Sequence, residues 1–157
     1  MKKEYLNIYN NLIKLTRNKL LFEKLQKNDS FSERLVVFLL HFAFFLKIYK
    51  SNQSKDDLQD IYDFVFRQIE LSIREIGYGD TSINKQMKSY INLFYSIIGQ
   101  IDKWEKLDSE KKTAIFSELL NVGSETHFFV EYFEKYRLFL LNNTLKNFSK
   151  DILKFNF

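Results

Sequence analysis

The chain has 157 residues, 45% hydrophobic and 28% charged, with no cysteine and no proline. Its length fits one domain and its apolar content excludes a disordered chain, while the missing cysteine excludes a disulfide scaffold, a thiolate metal site and a cysteine nucleophile. The formal net charge of +4 is concentrated in residues 1–30, which carry seven basic and three acidic groups. That bias reads first as a lysine-rich solvated surface, and as its alternative as weak contact with anionic lipid, RNA or ribosome.

Average proline usage of about 5% would give roughly eight in a chain this long. Proline is common in loops and disruptive inside helices, so its absence predicts few loops and long regular elements. Residues 3–16 place Tyr5, Ile8, Tyr9, Leu12, Ile13 and Leu15 largely on one helical face, and a shorter helix is expected over 19–27. Ser30 or Ser32 can cap the next helix, about 31–50, whose stretch Leu35 to Leu46 is apolar on all sides except for His41. Its twelve positions would span about 18 Å as a helix, too short for a hydrocarbon core of about 30 Å. It reads as a buried central helix.

After the polar linker Ser51 to Ser54, Ser54 with Asp57 resembles a capping box that starts a two-faced helix over about 55–76. Leu58, Ile61, Tyr62, Val65, Ile69, Ile73 and Ile76 form its apolar stripe. Asp63–Arg67 and Glu70–Arg74 are spaced as acid-first i,i+4 pairs on its polar side. Gly77-Tyr78-Gly79-Asp80 stops the helix, with Gly77 suited to a left-handed C-cap and Asp80 to the next N-cap. A helix over about 81–106 buries Ile83, Met87, Ile91, Phe94, Ile98 and Ile101 and carries Lys85 and Lys88 on another face. Asp108 with Ser109 caps a helix to about Asn121, and the final stretch, 125–155, spaces Phe129, Tyr132, Phe133, Tyr136, Phe139 and Leu140 as a helix that Asn142-Asn143 divides. The expectation is an all-α, single-domain bundle of about six to seven helices around the helix at 31–50.

Catalytic and metal-binding patterns are missing. His41 and His127 are the two histidines, neither at metal-ligand spacing from another, and no Walker A or G-x-S-x-G sequence occurs. A lone histidine in a core helix reads as hydrogen-bonded packing, with haem ligation by His41 as the alternative. The aromatic stripe at 128–140 reads as core rather than as a platform for stacked bases. The residues by themselves describe a non-enzymatic helical domain without a cofactor, and nothing in them points to DNA.

Residues 74–95 contain Arg74-Glu75-Ile76-Gly77-Tyr78-Gly79-Asp80, then Lys85-Gln86-Met87-Lys88, then Phe94-Tyr95. This resembles the R-E-x-G-x-G-D, K-x-M-K and F-Y-G-R signature of the ubiquinol–cytochrome c chaperone family. Arg34 with Leu40-His41 is similar to that family's R…L-H helix, and Lys47 falls at one of its basic positions. The segment Leu12 to Leu25 is more weakly similar to its opening. The likeness covers about residues 12–105 and leaves the helices of 109–155 unmatched. It implies an assembly chaperone of respiratory complex III that binds newly made or unassembled cytochrome b. It also implies a small helical partner protein, contact with the ribosome and, for a bacterial member of alphaproteobacterial type, a cytoplasmic location with peripheral contact at the inner membrane.

Within that resemblance, Arg74, Asp80, Lys85, Lys88 and Lys47 are the candidate client- or partner-binding residues. Gly77 and Gly79 are candidate structural turn residues. An internal Arg74–Asp80 ion pair is the competing use of those two side chains. The sequence departs from the family pattern at Ser96 and Ile97, where Gly and Arg are expected, and at Ile48, where an Arg is expected. The rival functions are a ribosome- or RNA-binding basic module unrelated to complex III, and a haem-handling protein using His41.

Overall fold

The computed structural model describes residues 2–25, 31–77, 79–150, 155 and 157. Ser30, Tyr78 and residues 26, 27 and 151–154 of the expected elements lie outside the described residues. The rest is all-α, with eight α-helices among the described residues. In chain order they are α1 (Lys2–Thr16), α2 (Lys19–Lys24), α3 (Phe31–Tyr49), α4 (Lys55–Ile76), α5 (Asp80–Ile101), α6 (Ser109–Leu119), α7 (Thr126–Leu141) and α8 (Leu145–Phe148). Short 3-10 turns lie at Trp104–Lys106 and Gly123–Glu125.

The centre of the bundle is α3. Leu35, every residue from Val37 to Phe45, and Tyr49 are buried on it, as expected for a helix without a polar face. Burial on all sides requires neighbours on all sides, and α1, α5 and α7 supply them. Phe42 stacks on Phe94 of α5 at 5.2 Å. Phe44 stacks on Phe133 of α7 at 5.3 Å and meets the edge of Trp104 at 5.1 Å. Both α5 and α7 run parallel to α3. The Phe42–Phe94 contact is followed further along both segments by a hydrogen bond from Lys47 to Asp102, and the His41–Tyr132 bond is followed by one from Tyr49 to Leu140. The aromatic stripe of α7 is core: Phe129, Tyr132, Phe133, Tyr136, Phe139 and Leu140 are all buried.

Local signals set most helix ends. Ser54 accepts a hydrogen bond from the Asp57 amide, and Asp108 accepts one from the Lys111 amide. Thr144 caps α8 by accepting from Asn147 after Asn142 and Asn143 have broken the final stretch. Buried Asn11 holds α8 against α1, donating to the carbonyls of Phe148 and Lys150 at 2.8 and 2.9 Å.

The structure corrects several expectations. Ser32 lies inside the first turn of α3 and does not precede it. The helix expected to reach residue 106 ends at Ile101, and the chain tightens into a 3-10 turn that buries Trp104 between Phe44 and Phe116. Asp80 is the first helical residue of α5 rather than its cap. Gly79 holds the cap position, and the Asp80 carboxylate goes to Arg74 instead of to a backbone amide. The acid-first pairs on α4 give way to other partners. Arg67 sits 3.6 Å from Glu70, and Asp63 accepts from Gln59. Ile76 is 52% exposed, so the apolar stripe of α4 runs past the core that covers the rest of it.

Gly77 closes α4 with φ at +103°, a region that costs a side-chain-bearing residue about 1–2 kcal/mol. A Cβ built there meets nothing within 4 Å, so backbone strain is the whole penalty. Gly77→Val is therefore expected to lower unfolding free energy by about 1–3 kcal/mol, and Gly77→Asn by less, since Asn tolerates the left-handed region better. Urea unfolding of the two variants checks this, and an unchanged midpoint for the valine variant would contradict the turn geometry.

Candidate functional site

The sequence-derived contact residues do not form one site. Helices α4 and α5 make an antiparallel hairpin, and α5 has 22 residues, about 33 Å of helix. Arg74, Gly77, Gly79, Asp80, Lys85 and Lys88 gather towards the tip of this hairpin. Lys47 lies at the other end, beside Asp102 just past the end of α5.

At the tip, Arg74 donates to the Asp80 carboxylate at 2.8 Å. This contact clamps the two arms of the turn, and the hydrogen bond to Asp80 raises the guanidinium pKa. Lys85 and Lys88 are exposed and have no ion-pair partner among the described residues. They follow Asp80 by about 8 and 12 Å along α5. On the other arm of the turn, at the end of α4, the uncovered Ile76 presents apolar surface. The two glycines differ. Gly77 needs its positive φ, whereas Gly79 has φ −72° and ψ 162°, ordinary extended backbone, and a Cβ on it would meet nothing within 4 Å. Gly79 is the N-cap of α5, a position that glycine suits without needing a positive φ.

At the opposite end Lys47 is committed to the fold. Its side chain is only 13% exposed, its ammonium donates to the Asp102 carbonyl at 2.7 Å, and it lies 3.2 Å from Glu105. The charges continue inward. Arg137 lies 3.8 Å from Glu105 and 2.6 Å from Glu134, which also accepts the Trp104 indole N–H at 2.9 Å. Lys112 lies over the Trp104 ring at 4.8 Å. Burial pushes both carboxyls up, but hydrogen bonds outweigh it and hold them below the usual range: for Glu105 from its own backbone amide and Lys47, and for Glu134 from Arg137 and Trp104. This alternating chain of charges ties the ends of α3 and α5 to α6 and α7.

Next to Lys47, a cavity of about 230 Å³ opens between the end of α3, the start of α4 and the end of α5. Leu46, Leu58, Ile98 and Ile101 line it, with Lys50 and Lys55 at its edge and Tyr62 and Tyr95 as one wall. Tyr95 is 60% exposed, while its neighbour Phe94 is buried on Phe42. Sequence reasoning placed Phe94-Tyr95 within the resemblance without finding this groove. The available signal was a large aromatic on the solvent side of α5. One missing arginine is explained locally. Ile97 is fully buried, so that position does not face water as a guanidinium prefers, while Ile48 is partly buried against the core.

His41 is completely buried, and both ring nitrogens are engaged. Nδ1 donates to the Val37 carbonyl at 2.8 Å, and Nε2 accepts from the Tyr132 hydroxyl at 2.7 Å. A metal at Nε2 would have to displace that hydroxyl from a packed aromatic cluster. Haem ligation therefore loses its support, and hydrogen-bonded packing accounts for the residue. Among the described residues no group of three or more His, Asp or Glu side chains is placed to hold a metal ion.

Burial lowers the His41 pKa from 6.5 to about 3. The folded state holds this ring neutral while the unfolded chain takes up a proton below pH 6.5, so stability falls as pH falls through that window. Between about pH 6.5 and 5, the loss from this group should reach about 2 kcal/mol. Glu105 and Glu134 contribute their loss only below about pH 4.5, near the ordinary carboxylate value. Urea unfolding across the upper window should show the slope in the native chain and its loss in His41→Gln. An equal slope in both would contradict the assignment.

A family model described as Ubiquinol-cytochrome C chaperone matches residues 23–124. The match takes in α6, which the sequence resemblance had left out, and begins after most of the segment that resembled the family's opening. Neither the curated proteins nor the solved structures contain a match to the chain.

Proposed function

Because the chain belongs to the ubiquinol-cytochrome C chaperone family, we propose that it assists assembly of respiratory complex III by holding newly made cytochrome b. The tip of the α4–α5 hairpin is the contact surface in this reading. What supports it is the exposed Ile76 at the end of α4 and, in the first half of α5 on the other side of the turn, the exposed Lys85 and Lys88, which have no ion-pair partner among the described residues.

Each part has a physical use. A client with unassembled apolar segments offers surface that Ile76 can cover. Exposed cations speed and orient encounter with negatively charged surfaces more than they add affinity. They fit a client emerging beside anionic lipid or ribosomal RNA. Gly79 leaves its backbone open to close approach by a partner. The Arg74–Asp80 pair keeps the turn in shape and orients the surface, so these two residues act by positioning. Lys47 is part of the frame. The role is binding without catalysis.

Two variants test the surface. Reversing two exposed charges in Lys85→Glu/Lys88→Glu is expected to lower recovery of cytochrome b with the tagged chain about tenfold, from about 1–2 kcal/mol of lost attraction. Gly79→Ala, at the N-cap of α5, is expected to cost about 0.5–1 kcal/mol of stability and to lower recovery at a temperature where the variant stays folded, because the methyl enlarges the turn that the partner approaches. Quantitative mass spectrometry of captured material and thermal melting check both. Full recovery with both variants would remove this surface from the account.

A further inference from the structure

The groove at the far end of the α4–α5 hairpin has no part in the client surface. We propose that it binds a single-chain anionic amphiphile of the fatty-acid class, with the tail among Leu46, Leu58 and Ile98 and the carboxylate beside Lys50 and Lys55.

The lining fits a tail. The walls are mostly aliphatic, with Gln59 and the tyrosine pair as the exceptions. The Tyr62 and Tyr95 rings lie 6.3 Å apart and present ring surface to the groove. A peptide backbone laid here would bring amides and carbonyls to a wall that is mostly hydrocarbon and ring, an unfavourable exchange. A hydrocarbon tail brings none. The cavity of about 230 Å³ is of a size to take part of one acyl chain.

The edge fits an anion. Lys47, Lys50 and Lys55 surround the groove against one carboxylate, Asp102. Lys47 is held by the Asp102 carbonyl and Glu105. Lys50 reaches Asp102 only at 3.4 Å, with both side chains more than half exposed. Lys55 has no ion-pair partner among the described residues. Two cations therefore remain available to a headgroup that enters with its tail in the groove. A positive or neutral head would forfeit that attraction.

Methyl NMR of the full chain titrated with sodium decanoate tests the site. Saturable shifts are expected at Leu46, Leu58 and Ile98. Decyltrimethylammonium, with the same tail and opposite charge, should bind about tenfold more weakly. Lys50→Glu/Lys55→Glu should weaken decanoate about tenfold while its melting stays that of the native chain. Equal binding of the two amphiphiles, or decanoate shifts scattered away from these methyls, would overturn the proposal. Binding to phosphatidylglycerol vesicles that leaves the groove methyls unmoved while decanoate fails to shift them would also overturn it, since the lysines would then serve only surface adsorption. The site is independent of the hairpin tip, so this double variant retains full recovery of cytochrome b.

Discussion

Covering α3 is the constraint on which the rest of the structure depends. A helix with phenylalanines at positions 38, 42, 44 and 45 and no polar face has no stable place at a surface. Burying each such side chain contributes about 1.5–3 kcal/mol, and the edge-on and stacked ring contacts add about 0.5–1.5 kcal/mol per pair. Glu33, Arg34 and Lys47 bound the apolar run of this helix, and no helix among the described residues is long and apolar enough to cross a membrane. Its apolar surface must therefore be covered by the chain itself. That requirement fixes α1, α5 and α7 around it and accounts for the aromatic face of α7. It also dictates the state of His41, whose polar atoms at the bundle centre are satisfied by a backbone carbonyl and a tyrosine hydroxyl.

What α3 leaves over forms the surface proposed to meet the client. Helices α4 and α5 are both longer than the central helix, so their hairpin carries Ile76, Gly77 and Gly79 to exposed positions. The other end is anchored by Lys47 and the charges of Glu105, Arg137 and Glu134. Rigid at its base, the hairpin presents its tip in a defined position. This division suits a chaperone of a membrane-complex subunit, which needs to hold apolar surface without losing its own core.

Much of the bundle was legible in the sequence because the signals were local. The all-round apolarity of 35–46 gave the central helix, Ser54 and Asp108 gave helix starts, Gly77 gave a stop, and Asn142-Asn143 gave the break before α8. Features decided by distant partners were not legible. Asp80 looked like a cap by position, and only the fold shows that Arg74 takes its carboxylate. Ile76 continued an apolar stripe by spacing, but spacing does not say where the covering helices end. Lys47 looked like a free cation because Asp102 and Glu105 are more than fifty residues away in the chain. Gly79 looked like its neighbour Gly77, and only backbone angles separate a glycine that a turn demands from one that it does not. The groove beside Tyr95 required three helix ends to meet, which no single stretch of sequence encodes.

The chaperone account rests most directly on the fate of newly made cytochrome b in cells that lack the chain. Pulse-labelling followed by a chase measures it. The account predicts that cytochrome b is made at the normal rate, then disappears faster than in normal cells, while subunits of other respiratory complexes keep their lifetimes. Restoring the native chain should restore the lifetime. An unchanged lifetime of cytochrome b, with complex III present at normal amounts, would contradict it.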